Sequence, residues 1–187
     1  MSTRTDTTAF EPHPTAPRDA RDTDRTLPLA TVRTLAAGAH VGDLVFIRVP
    51  ARALRDAAGN AGAWADRFGI VVDTSGDEPL IAEPAFARTK LTPLSRFIAR
   101  ADGGRVALAR RVAAPTADAQ RHVHALAEQR IDGLLGSRFS LLAHRGFCAN
   151  YVGDVLGAER TATPAALLRS GTLSLEFDGI VFDPARP

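Results

Sequence analysis

A single cysteine in 187 residues has no partner for an intramolecular disulfide, and no Cys/His cluster has zinc-ligand spacing, so the sequence offers neither kind of staple. The nearest thing to a metal signature, His122-Val123-His124, puts two imidazoles on different faces of a helix, where they do not chelate one ion. No metal and no cofactor is expected. Lysine is almost absent too: Lys90 is the only one among 23 basic residues, and the Ala, Arg, Gly and Asp richness reads as a GC-rich bacterial coding bias. The formal charge of +2 is too near balance to leave a nucleic-acid footprint. No apolar run approaches the ~18 residues of a membrane span. The N-terminus lacks the basic-then-apolar layout of a signal peptide, so a cytoplasmic protein is expected, with leaderless export the alternative.

What is present is enough apolar material for one core: 45% of the residues are hydrophobic. Residues 1–27 are Thr, Asp, Arg, Pro and Ala with few large apolar side chains, which predicts a disordered tail ahead of a single domain over 28–187. Order is expected to begin near Leu29 to Leu35. The β-branched run Leu44 to Val49 predicts a buried strand ending at Pro50, and Phe68 to Val72 predicts a second. A third, Leu80 to Glu83, follows the turn cluster Asp73 to Pro79 and completes a meander. Between the first two strands, Ala51 to Ala65 suits a short helix and a loop broken at Gly59-Asn60. Thr92-Pro93 starts a helix through Ala99, and Arg105 to Val112 alternates as a strand. Thr116 caps a helix from Ala117 to Arg130 with the stripe Val123, Leu126, Ala127 and Ile131. Gly133 to Gly146 is loop-like, Thr163-Pro164 opens another short helix to Arg169, and Leu173 to Phe177 reads as an edge strand.

The one cysteine sits where chemistry favours it. In Arg145-Gly146-Phe147-Cys148-Ala149-Asn150-Tyr151-Val152 a glycine turn feeds an amphipathic helix running to about Leu156. A thiol in a first helical turn meets unpaired N–H groups and the positive end of the macrodipole, which lower its pKa from about 8.5 toward neutrality. Two readings stand: an activated nucleophile, or a small buried hydrophobe.

Three pieces in order add to this: Gly42-Asp43-Leu44-Val45-Phe46, then Asp66-Arg67-Phe68-Gly69-Ile70-Val71-Val72 with Ile81-Ala82-Glu83, and last Phe147-Cys148-Ala149-Asn150-Tyr151-Val152. Together they resemble the YiiX/YebB-like permuted papain-like amidases, relatives of the NlpC-type cell-wall hydrolases, from about Leu35 onward. The resemblance implies an α+β, circularly permuted papain-like (NlpC-type) fold, an antiparallel sheet packed against helices that include the cysteine helix. It implies Cys148 as nucleophile and Glu83 as orienting group. Where such families carry a histidine before the Gly-Ile strand, this chain has Arg67.

An arginine stays protonated and does not relay a proton, although its charge stabilises a thiolate. His144, four residues before Cys148, is the candidate substitute base. Two functions follow from the resemblance. One is a cysteine hydrolase of amide or acyl (ester or thioester) bonds in a small acyl, peptide or lipid-like substrate. The other is a catalytically degenerate pseudoenzyme that binds such a ligand without turning it over.

Overall fold

The computed structural model describes residues 27–50, 64–84, 89–136 and 146–182. The expected tail, most of the expected helix over 51–65, and His144 lie outside the described residues.

Among them seven strands form one sheet: β1 (Leu29–Thr31), β2 (Leu44–Ile47), β3 (Arg67–Asp73), β4 (Leu80–Pro84), β5 (Thr89–Pro93), β6 (Arg105–Arg111) and β7 (Leu173–Phe182). Their spatial order is β1-β7-β6-β2-β3-β4-β5, antiparallel throughout except where β1 runs parallel to β7. Five helices cover it: α1 (Val32–Gly38), α2 (Leu94–Ile98), α3 (Ala117–Gly136), α4 (Phe147–Asp154) and α5 (Pro164–Arg169). None of the described helices is long and apolar enough to cross a membrane.

Because side chains alternate along a strand, the central strands feed two cores at once. On one face Leu44, Phe46, Ile70, Val72 and Ala82 pack with Ile131 and Leu134 of α3, Cys148 and Tyr151 of α4, and Leu167 of α5. On the other, Val45, Ile47, Val71 and Ile81 pack with Leu35 of α1 and with Leu94 and Phe97 of α2. Coverage on both sides is why β2 is apolar at every position rather than at every second one.

The helices begin where the sequence places caps. The Thr116 hydroxyl accepts from Ala119 N at 3.1 Å, and that of Thr163 from Ala166 N at 3.2 Å with Pro164 in the first turn. The start of α2 borrows its cap from the β3–β4 turn, where the Glu78 carboxylate accepts from Ser95 N at 3.0 Å.

Four expectations need correction. The strand β2 stops at Ile47, two residues before Val49. Thr92-Pro93 ends a strand before it starts a helix, because Thr89 to Pro93 pairs with Leu80 to Pro84. The helix α3 continues past Arg130 to Gly136, since Ile131 and Leu134 extend its buried stripe. Finally, β7 is ten residues long: Leu173 to Phe177 pairs with β6 alone, as an edge, but the strand runs on to Phe182, where Ile180 to Phe182 pairs with β1.

Gly69 tests the two-faced assignment. A Cβ there would lie 2.3 Å from Ile81 Cγ2 and 3.2 Å from Phe97 Cε2, on the α2 face. Gly69→Ala is therefore expected to destabilise the domain by about 1–3 kcal/mol through overpacking. Gly133→Ala, in α3 with nothing within 4 Å of the new Cβ, should instead stabilise it by up to about 1 kcal/mol. Urea unfolding midpoints of the two variants check both signs.

Candidate active site

Phe147, Cys148, Tyr151 and Val152 make a buried stripe along α4, and Gly146, at φ +71°, turns the chain into the helix without a side-chain cap. The stripe lays α4 on the sheet face formed by Ile70 and Ala82. Cys148 is 4% exposed, and its Sγ donates to the Ala82 carbonyl oxygen at 3.7 Å. The hydroxyl of Thr89, on neighbouring β5, hydrogen bonds to the sulfur. Register explains the neighbour: Thr89 lies two residues from Leu91, which pairs with Ala82 and packs in the same core.

Burial pushes the thiol up to about 12, against the Thr89 hydrogen bond and the residue's own backbone N–H, and the nearby Glu83 charge pushes the same way. The lowered pKa expected from the helix N-terminus is thus reversed. A macrodipole contributes about 0.3–2 kcal/mol over one turn, whereas burial of a charge moves a pKa by up to 3–5 units. Here desolvation wins.

Glu83 is itself buried, yet its pKa is lowered. Burial alone would raise it, but hydrogen bonds from Thr92 and Arg100, with the charges of Arg100 and Lys90, more than offset that. Thr92 Oγ1 donates at 2.5 Å, Arg100 Nη2 donates at 2.8 Å, and Lys90 Nζ lies 3.7 Å away. Arg100 in turn stacks over Phe97, 4.9 Å from the ring centroid.

Alternation places these groups on the side of the sheet away from the cysteine. Ala82 faces α4, so the adjacent Glu83 faces α2, where Arg100 follows the helix. Phe68 packs in the α4 core while Gly69 abuts Phe97, so Arg67 shares the α2 face with Glu83. Arg67 is exposed and, among the described residues, pairs with neither Asp66 nor Glu83. The Asp66 carboxylate instead accepts from Val49 N at 3.0 Å. The structure therefore joins Cys148 to the β4–β5 ladder and joins Glu83 to Arg100. It does not join Arg67 to the thiol.

Of the other histidines, His40 is exposed in the turn before β2, and His122 and His124 lie on α3. No group of three His, Cys, Asp or Glu side chains suited to a metal occurs among the described residues. Sequence reasoning missed Thr89, Thr92 and Arg100. The alternation Thr89-Lys90-Leu91-Thr92 was the available signal for the first two, obscured by the helix-start pattern of Thr92-Pro93.

A family model described as permuted papain-like amidase enzyme, YaeF/YiiX, C92 family, matches residues 38–173. The chain belongs to this family. The match runs from the end of α1 through α5 and takes in Gly42, Arg67, Glu83 and Cys148, and the antiparallel sheet with its cysteine helix agrees with a permuted papain-like architecture. No curated protein and no solved structure matches the chain significantly.

Two pH effects follow for this C92 member. Alkylation of Cys148 by iodoacetamide should keep accelerating from pH 7 to pH 10 with no plateau, read by mass spectrometry; a plateau near pH 7 would refute the buried neutral thiol. In stability the sign is negative. An unfolded thiol titrates near 8.5 and the folded one near 12, so between those values the unfolded chain has lost a proton that the folded chain keeps, and stability falls as pH rises. Tyr151, also pushed up to about 12 chiefly by burial, adds to the fall above its unfolded value of about 10. Urea midpoints from pH 8.5 to 11 should decline, and Cys148→Ala should flatten the decline below about pH 10.

Proposed function

We propose that the chain is a cysteine hydrolase of acyl bonds in which Cys148 is the nucleophile. The observation that carries this reading is the thiol at the start of α4 in a chain of the permuted amidase family. Sγ attacks the substrate carbonyl carbon, the leaving group departs as amine, alcohol or thiol, and water then cleaves the resulting thioester and regenerates the thiol. Backbone N–H groups of the first turn, which among the described residues has no side-chain cap, are the available oxyanion donors.

The proton is the difficulty. Among the described residues, the groups that hydrogen bond to Sγ are the Thr89 hydroxyl and the Ala82 carbonyl, and neither is a base at neutral pH. Within the family-matched span the histidines are His40, His122, His124 and His144, and none of the first three is among the groups that hydrogen bond to the thiol. We assign the base role to His144 on its place in the sequence. Activated esters and thioesters, whose leaving groups need little protonation, are the favoured substrates over amides.

A degenerate binding module is the second reading, favoured by the thiol pKa near 12 and by Glu83 locked to Arg100 on the other face. Hydrolysis of p-nitrophenyl and thioester probes separates the two. The hydrolase reading expects turnover that Cys148→Ala abolishes and that His144→Gln lowers by about 10²–10⁴-fold. Equal rates in wild type and Cys148→Ala would leave the binding module. Arg67→His should change the rate less than about threefold, because side chain 67 faces α2. A gain on the order of the 10²-fold or more of a positioned base would show that it reaches the thiol after all.

A further inference from the structure

A cavity lies one helical turn along α4 from the cysteine, with a volume of about 780 Å³. It is bounded by the turn before β2, the end of β3, the end of β6 and one face of α3, with Tyr151 contributed by α4; Cys148 does not line it. That volume falls within the range typical of small-molecule sites, about 300–1,000 Å³.

Its lining has a definite sign. Asp43, Asp73, Glu128 and Asp132 contribute four carboxylates, and Arg110 and Arg111 contribute two guanidinium groups. Asp43 and Arg110 cancel: Arg110 Nε and Nη2 donate to the two Asp43 oxygens at 2.9 and 2.8 Å, and Nη2 also reaches the Gly38 carbonyl at 3.1 Å. Arg110 thus has no charge to spare for a ligand. Asp73 accepts from Ser75 N and Oγ at 2.9 and 2.7 Å, which leaves Glu128 and Asp132 facing the Arg111 guanidinium, a net of −1 with histidines neutral, in a chain whose overall charge is +2. Glu128 meets only the His124 imidazole at 3.1 Å among the described ion pairs, and Asp132 is exposed with no ion pair among the described residues.

The remainder of the lining is apolar. Val72, Ile131 and Leu135 make the floor, and Val41, 49% exposed, stands in the wall. Val112, 47% exposed, lies between the lining residues Arg111 and Ala113. An exposed valine on the wall of a cavity with an acidic side matches an amphipathic guest with a positive head.

We propose that this cavity is a binding site for an organic cation, a primary amine carried on an apolar body. The ammonium sits toward Glu128 and Asp132 on α3, and the apolar part lies across Val72, Ile131 and Leu135. The site is distinct from the cysteine centre and does not depend on hydrolysis.

Isothermal titration of the full-length chain with three probes of one shape tests it: 2-phenylethylamine, 2-phenylethanol and 3-phenylpropionate. The amine should bind saturably and about tenfold or more tighter than the alcohol, and the carboxylate should bind weakest. Glu128→Gln with Asp132→Asn should weaken the amine about tenfold and leave the alcohol unchanged. Cys148→Ala should bind the amine as wild type does, whether or not it hydrolyses anything. Absence of saturation by the amine, an alcohol or carboxylate that binds as tightly, or an amine affinity untouched by the double variant would each overturn the proposal. So would loss of amine binding in Cys148→Ala, which would move the probe to the cysteine centre.

Discussion

The sheet is covered on both faces, and the strict alternation this imposes decides which residues meet. One step along β4 separates Ala82, whose carbonyl receives the Cys148 thiol, from Glu83, whose carboxylate receives Arg100. One step along β3 separates Phe68, in the α4 core, from the α2-facing Arg67 and Gly69. Residues adjacent in sequence therefore face two different environments, although the Glu83 charge still reaches the thiol. A slip of one residue in β3 or β4 would exchange them, and the fully buried Val45, Ile47, Ile70 and Ile81 hold the register against it.

The second constraint fixes α4 to the sheet at its other end. Gly42, at φ +93°, donates to the Val71 carbonyl at 2.8 Å, and its own carbonyl accepts from Tyr151 Oη at 3.2 Å. A Cβ on residue 42 would lie 2.8 Å from that hydroxyl, so glycine is required by both conformation and space. Asp43 stiffens the same turn by accepting from His40 N at 2.8 Å and from both Arg110 nitrogens. Removing Arg110 would strand a buried carboxylate, the costly way to break such a pair. Because Tyr151 is one turn from Cys148, this anchor also sets how deep the thiol lies, and depth is what raises its pKa.

The sequence made the meander of β2, β3 and β4 legible because those runs are uniformly apolar and bounded by turn residues. It made α4 and α5 legible through Gly146 and Thr163-Pro164, and the family through its ordered pieces. It hid β5, whose Thr-Lys-Leu-Thr alternation sits beside Pro93 and carries little apolar weight. It hid β1 as well, a three-residue strand held by pairing with Ile180 to Phe182 at the far end of the chain. The site was legible as residue types and not as faces. The family resemblance singles out Cys148, Glu83 and Arg67, but only register shows that Glu83 and Arg67 share one side.

Burial, which pushes the Cys148 thiol up to about 12, opposes its ionisation at neutral pH in this arrangement. Each pH unit between that value and 7 corresponds to ~1.4 kcal/mol, so forming the thiolate in place costs several kcal/mol before any bond is made. That is comparable to, or larger than, the 10²–10⁴-fold that one positioned acid–base group supplies. A base at Cys148 therefore has to work against its burial. A change in the thiol's surroundings eases that, by a donor reaching Sγ or by polar substrate atoms replacing the Ala82 carbonyl beside it. The Thr89 hydroxyl already favours the thiolate, and a substrate carbonyl drawn to the uncapped N–H groups of α4 would displace negative charge from sulfur to oxygen as attack proceeds. Reactivity at Cys148 thus depends on what enters the face between α4 and β4, which makes substrate binding and nucleophile activation a single event in this fold.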